Sequence, residues 1–506
     1  MAENNAPILL GLDLGTTGAK AGLIDRGGKV LATAMVEYVT SIPRPGWAEQ
    51  DPEDWWRATI EAIGKVIRTS GVAPDDIAGL GVSGQMHGSV FLDASLKVVR
   101  PCILWCDQRT TRQCDRITES IGEEGLASLV GNPALAGFTA PKILWLRECE
   151  PDSYARVRKL LLPKDYINMR LTGELATEVS DASGTLLFDV RERAWSAGMI
   201  ERLEIRRDWL PEVLESCDVV GSITTEAAAA TGLRPGTVLA AGGADNACGA
   251  LGMGVVDEGQ VAVSIGSSGT VLAPTDRPVV DARMRLHSFC HAVPDTWYLM
   301  GVMLSAGLSL RWFRDELGEP ESSNARRLGR DPYELLDVTA AQAPAGCDGL
   351  LFLPYLSGER TPHANPNARG VLFGMDLAKK RRHVFRAVME GVVYGLNDSV
   401  ALMRDMEIAL DTVTAGGGGS RSNLWKSMQA DIFELPIRTA GEPDTALVGA
   451  ALLGGVAAGV FPTVRDACLT AVSYGNATEP DESNFDSYRR AYRKYRQLYP
   501  TLKPLF

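Results

Sequence analysis

Three stretches of the chain combine residue types that could handle a phosphorylated ligand. In "ILLGLDLGTTGAK" an apolar run ends on Asp13 and turns through Gly15-Thr16-Thr17-Gly18 before Lys20. A carboxylate can hold a divalent cation, and a Gly/Thr turn offers backbone N–H groups and hydroxyls to phosphate. As a strand, the run sends Ile8, Leu10 and Leu12 to one face and Leu9, Gly11 and Asp13 to the other, so Gly11 is expected to leave open space beside the carboxylate. A charged residue closing an ordinary strand fits equally well. In "AAGGADNACGALG", Asp245 follows Gly242-Gly243-Ala244 and precedes Asn246. Small residues around an acid are expected to leave room for a substrate, and an Asp in reach of a hydroxyl can take its proton as that oxygen attacks phosphorus. An Asx-type turn after the glycines is the alternative. In "AGGGGSRSN", Ala415 to Asn423, a Gly run lies between strand-like "IALDTVTA" and helix-like "LWKSMQADIF", where backbone can approach a ligand at a helix N-terminus.

Two common nucleotide motifs are excluded. A P-loop needs Gly-Lys before Ser or Thr, whereas Gly28-Lys29 and Gly64-Lys65 both precede Val. The Gly run carries Arg421 where a dinucleotide fingerprint starting at Gly416 and Gly418 needs its third glycine, which removes the main support for hydride transfer.

The elements that must position these residues read as alternating strands and helices, an α/β architecture. "AKAGLID" and "KVLATAMVEY" form a hairpin across Arg26-Gly27-Gly28. "EDWWRATIEAIGKVIR" is a helix with Trp56, Ile60, Ile63 and Ile67 on one face. The first motif then returns: "GLDLGTTG" at Gly11–Gly18 is echoed by "AVSIGSSG" at Ala262–Gly269, about half a chain later, with Ser264 in the place of Asp13. The echo suggests two related domains, 1–253 and 254–506, each giving a phosphate-cradling turn but only one giving a carboxylate. Chance similarity of two Gly/Ser/Thr turns is the alternative.

A chain of 506 residues exceeds one hydrophobic core, and its 45% hydrophobic and 23% charged residues are those of a soluble globular protein. A net charge of −12 argues against nucleic acid and for a small-molecule partner, with any anion held by local donors or a metal. Nine scattered cysteines fit reduced thiols, and "MAENNAPILL" has no basic segment before a long apolar run, so a cytoplasmic chain without a signal peptide is expected. The uncharged run Ala446–Phe461 is short of a membrane span and reads as a buried helix. "HSFCHA" offers His287, Cys290 and His291 without a nearby fourth ligand, which makes a weak zinc site. "ERTPHANP" reads as a loop over a cleft or a surface turn. In "FDSYRRAYRKYRQLYP", Phe485, Tyr488, Tyr492, Tyr495 and Tyr499 form one helical stripe, expected to dock on the protein or to form a dimer contact.

Taken together, "GLDLGTTGAK", "GWAEQDPEDWW", "GVSGQMHG", "ILWCDQR", "GFTAPKILW", "LLPKDYINMRLTGE", "SDASGT", "GGADNA", "HSFCHA", "LPYLSGERTPH" and "GGGSRSN" resemble the FGGY family of carbohydrate kinases nearly end to end. The resemblance implies two actin- and hexokinase-like (ribonuclease-H-like) domains with ATP and sugar between them. Within the family it is strongest to members that phosphorylate D-xylulose, which implies D-xylulose 5-phosphate as product. It further implies that Asp13 lies near Mg²⁺ and the γ-phosphate, that Gly15, Thr16, Thr17 and Lys20 form a first phosphate segment, and that Gly266, Ser267 and Ser268 form a second. Ser267 stands where the family commonly has Thr. Gly418, Gly419, Ser420 and Asn423 are implied in the adenosine site, with Trp312 a candidate adenine-side contact. Met86, His87, Asp245 and Asn246 are implied as sugar contacts, with Asp245 as catalytic base. Domain closure over the sugar and a homodimer are further expectations. The competing readings are a family kinase for another ketopentose, pentitol or polyol, and an actin- or chaperone-type nucleotide switch without a sugar.

Overall fold

The computed structural model describes residues 7–506; the first six residues, part of the stretch read for a leader, lie outside them. The first half opens with β1 (Ile8–Leu14), β2 (Gly18–Ile24) and β3 (Val30–Glu37), followed by α1 (Pro52–Ser70), β4 (Ile77–Gly84) and α2 (Thr139–Cys149). It closes with β5 (Val219–Ser222), β6 (Val238–Ala240), β7 (Gly243–Ala244) and α3 (Asp245–Gly252). These strands form one sheet in the order β5-β6-β4-β1-β2-β3, with β7 paired to the end of β4. The hairpin β2–β3 forms as the sequence suggests. Asp51 caps α1 by accepting from Glu53 N, Pro52 starts it, and Gly71 at φ 72° ends it. The buried stripe of α1 is centred on Trp55, Thr59, Ala62, Ile63 and Val66, one position round from the sequence reading; Ile60 and Ile67 lie on its margin. The helix lies on β2 and β3, and Trp55 turns inward with its indole N–H bonded to Gln50.

The second half repeats the pattern with β8 (Gly259–Ile265), β9 (Gly269–Thr275), β10 (His287–Cys290), β11 (Trp297–Met303), α4 (Gly307–Leu317), α5 (Arg381–Asp405), β12 (Leu410–Gly416), α6 (Asn423–Phe433), β13 (Ile437–Thr439), α7 (Thr445–Ala457) and α8 (Glu482–Leu502). Its sheet runs β10-β11-β9-β8-β12-β13. In the first sheet β1 pairs antiparallel with β2 and parallel with β4, and β2 antiparallel with β3; in the second β8 pairs antiparallel with β9 and parallel with β12, and β9 antiparallel with β11. The sequence echo therefore marks equivalent hairpins, β1–β2 and β8–β9, in two sheets that share a four-strand core and differ at their edges.

One helix crosses between the units. α7 belongs to the second half but packs on β1 and β4 of the first sheet. A Cβ on Gly11 would lie 2.2 Å from Leu447 O, and one on Gly81 would lie 1.9 Å from Ala450 O. The space expected beside Asp13 is thus filled by helix backbone: glycine here permits close approach rather than leaving a cavity. α3 meets α7 equally closely, with Gly449 against Cys248 O. The run Ala446–Phe461 supplies most of this buried helix. At the C-terminus, Tyr488, Tyr495 and Tyr499 of α8 are buried in the second core, so most of the stripe docks on its own chain.

Candidate active site

β1 carries Asp13 to the end of the first sheet, in register with Ser83 of β4 and Lys20 of β2. Ser83 Oγ donates to Asp13 Oδ1 at 2.9 Å. Burial raises the Asp13 carboxyl above the usual carboxylate range and the Asp444 charge adds to this, against the Ser83 hydroxyl and the Lys20 ammonium. Lys20 itself is paired with Asp444 at 2.6 Å, at the head of α7. The following turn is held from outside: Tyr38 OH donates to Gly15 O, Gln50 Nε2 to Thr16 O at 2.7 Å, and Trp105 Nε1 to Thr16 Oγ1 at 3.0 Å. Thr17 is exposed.

The equivalent turn of the second half, Gly266-Ser267-Ser268, is exposed and tied to the start of α4 by Gly307 N to Gly266 O and by Ala306 N and Leu308 N to Ser267 O. Beside it lies a cavity of about 630 Å³ lined by Gly266, Ser267, Arg311, Tyr333, Gly418 and Gly419 among others. The Gly run turns into a short 3₁₀ helix ahead of α6, with Gly417 at φ 70°. A Cβ on Gly418 would meet nothing within 4 Å, while one on Gly419 would strike Ile265 at 2.7 Å. Ser268, Ser420, Asn423 and Trp312 do not line this cavity. Trp312 is 45% exposed and packs edge-on against Phe313, while its neighbour Arg311 faces the cavity. Arg311 and Tyr333 carried no motif in the sequence; only the fold brings them here.

Asp245 opens α3, and Asn246 donates to its Oδ1 from both backbone N (2.7 Å) and Nδ2 (2.9 Å). Burial, then the Asp13 charge, push the Asp245 carboxyl up to about 7, within the range of a general base. The glycines before it do not open space: a Cβ on Gly242 would lie 2.1 Å from Val82 O, and one on Gly243 2.8 Å from Cys248 Sγ. They let this strand end pack tightly on β4 and α3. Asn246 Nδ2 also contacts Met86 Sδ at 3.7 Å, joining Asp245, Asn246, Met86 and His87 in one group.

His87 has φ 69°, a left-handed conformation that costs a non-glycine residue about 1–2 kcal/mol and must be held by its surroundings. Its carbonyl accepts from Thr139 Oγ1 (3.1 Å) and Lys142 Nζ (2.8 Å). Its ring Nδ1 lies 2.7 Å from Gly184 O; a carbonyl only accepts, so Nδ1 carries the proton and Nε2 is the free acceptor. The ring stacks on Phe138, with centroids 4.5 Å apart, and both approach Phe289 from the second half. His287 stacks on Phe289, whereas Cys290 Sγ turns to Val190 O, so the trio read as a weak zinc site diverges. The segment after "LSG" is a loop in which Glu359 and Thr361 are buried. Thr361 N donates to Val302 O, and Thr361 Oγ1 and Glu359 Oε1 accept from Val302 N and Leu304 N, which fastens it to the end of β11. Arg360 between them is close enough to His87 and His287 for its charge to lower both imidazoles.

Two Gly/hydroxyl turns on related sheets, a glycine-edged cavity and an aspartate raised to about 7 are the parts that phosphoryl transfer needs, and sequence comparison decides the family. The N-terminal domain model of the FGGY family of carbohydrate kinases matches residues 8–252, and the C-terminal domain model matches residues 261–458. The chain belongs to the FGGY family of carbohydrate kinases. Family members with similar full-length sequences include the xylulose kinase of Bacillus subtilis (40% identity over 98% of this chain and 97% of the relative) and that of Escherichia coli (39%, over 98% and 99%). The solved structure of a "xyloylose kinase" from Brucella ovis superimposes with a TM-score of 0.90 at 37% identity, covering 99% of this chain and all of that one. As an FGGY member the chain is an ATP-using carbohydrate kinase with a small-molecule sugar substrate. Among the described residues no helix is long and apolar enough to cross a membrane.

Proposed function

We propose that this family member phosphorylates D-xylulose to D-xylulose 5-phosphate. The observation that carries the mechanism is Asp245, a carboxylate raised to about 7 and fixed by Asn246 beside Met86 and His87. The choice of sugar is supported by the xylulose kinases that the whole chain resembles.

In the proposed reaction Asp245 accepts the proton of the sugar's terminal hydroxyl as that oxygen forms its bond to the γ-phosphorus. The bond from phosphorus to the β,γ-bridging oxygen breaks in line, and ADP leaves. His87, neutral and protonated on Nδ1, offers Nε2 to a sugar hydroxyl. The turns Gly15–Thr17, with Lys20 behind, and Gly266–Ser268 cradle the phosphates, and the cavity beside Gly418, Gly419 and Tyr333 takes the adenosine, with Ser420 and Asn423 at its margin. Trp312 would have to swing round to reach the base. Asp13 offers hard oxygen donors in a buried, negatively charged setting, which suits Mg²⁺, directly or through water. That ion would neutralise phosphate charge. The nine free cysteines suit a cytoplasmic site of action.

The test is the initial rate of ADP release with Mg-ATP and D-xylulose, L-xylulose, D- and L-ribulose, xylitol, D-arabitol, glycerol or no sugar. A clear preference for D-xylulose is expected. Preference for another polyol would overturn the substrate, and sugar-independent hydrolysis would point to a nucleotide switch.

A further inference from the structure

Lys142 lies under the sugar group and is wholly buried. The other wholly buried lysine, Lys164, is neutralised by Asp165 at 2.5 Å. Lys142 instead donates to two backbone carbonyls, of His87 (2.8 Å) and Gly137 (2.7 Å), and so joins the Met86–His87 turn to the start of α2. Asp107, a carboxylate whose charge acts on it, is already clamped by Arg109 at 2.7 Å. An ammonium without a carboxylate of its own is costly to bury, and one that grips the carbonyl of a left-handed residue has a definite task.

We propose that Lys142 is a positioning residue for the sugar site: it fixes the backbone of His87 and sets a positive charge beside the ring, so that Nε2 is presented as an acceptor. The proposal rests on the reading of His87 as a sugar contact. The groups facing His87 act in one direction. Burial, Lys142 on α2, Arg360 behind β11 and His287 on β10 all disfavour the imidazolium, and only the Gly184 carbonyl favours it. Around Lys142, burial and Arg109 lower the ammonium to about 8, against Cys102, Asp107 and Cys106. Thr139 bonds the same carbonyl without a charge, which allows the two roles to be separated.

The test uses ¹⁵N-histidine NMR on the full chain, whose five histidines give a simple spectrum, together with separate KM values for D-xylulose and ATP. His87→Gln assigns the His87 signal. In the wild type, His87 should stay neutral with Nδ1 protonated well below the pH at which an ordinary histidine titrates. Lys142→Met should raise the pH at which His87 titrates, with burial still holding it below an ordinary histidine, and raise the D-xylulose KM about tenfold with the ATP KM unchanged. Thr139→Val should raise the sugar KM by a smaller factor and leave the titration alone. A wild-type His87 that titrates near 6.5 would overturn the proposal even if Lys142→Met does not fold. A folded Lys142→Met with unchanged titration would overturn it too. If His87→Gln leaves the D-xylulose KM unchanged, the sugar-site reading fails, and the NMR arm alone judges the link between Lys142 and His87.

Discussion

Asp245 can act as a base only when ionised, and its folded environment holds the proton up to about pH 7. Because the pKa is raised, the active form is lost as pH falls: kcat/KM for the sugar should be level above about pH 8 and drop about tenfold per unit below the apparent pKa. A profile level from about pH 5 to 9 would contradict this. Gly184 sets a second residue-scale requirement, since a Cβ there would lie 2.4 Å from His87 Nδ1. Gly184→Ala should raise the KM for the sugar and spare that for ATP; equal effects on both would remove His87 from the sugar site. The acids were legible in the sequence, but the reason for their small neighbours was not. Gly11, Gly242 and Gly243 read as open space, whereas each admits a packed neighbour: α7 at Gly11, β4 at Gly242 and Cys248 at Gly243. A glycine that clears room and one that admits a neighbour look the same until the neighbour is known.

At the scale of elements, α7 joins the two units. It lies on β1 and β4 under Asp13 and carries Asp444, the partner of Lys20, at its head. Gly81→Ala would push the helix away from the sheet, and a loss of about 1–3 kcal/mol in unfolding free energy is expected from denaturant titration. A fully stable variant would show that the helix can move at little cost. The Gly-run turn makes the opposite test. Gly418 faces open cavity, so Gly418→Val should leave the unfolding midpoint unchanged and raise the KM for ATP. An unchanged ATP KM would move the adenosine site elsewhere. The strand before this turn and the helix after it were legible from the sequence because local pattern fixes them. The contribution of Arg311 and Tyr333 to the same cavity was not, because it depends on how distant segments meet.

For the whole molecule, the echo of "GLDLGTTG" in "AVSIGSSG" carried more than any other single signal. It marked the equivalent hairpins at the centre of two sheets that share their four-strand core pairing. It could not reveal that α7 crosses back to the first sheet, since amphipathic pattern says nothing about which sheet a helix covers. The proposed sugar site draws its walls from both halves: His87 and Phe138 from the first, and Phe289 and Arg360 from the second. Binding a sugar there should draw the units together and keep water from the γ-phosphate. The radius of gyration by small-angle scattering should therefore fall on adding D-xylulose, and an unchanged value would argue against closure. The central claim, proton transfer to Asp245 during phosphorylation of D-xylulose, is tested most directly by D-xylulose-dependent ADP release in wild type and Asp245→Asn. The expected result is a fall in kcat of about 10²–10⁴-fold with ATP binding retained. A variant that keeps wild-type turnover of D-xylulose would contradict the account.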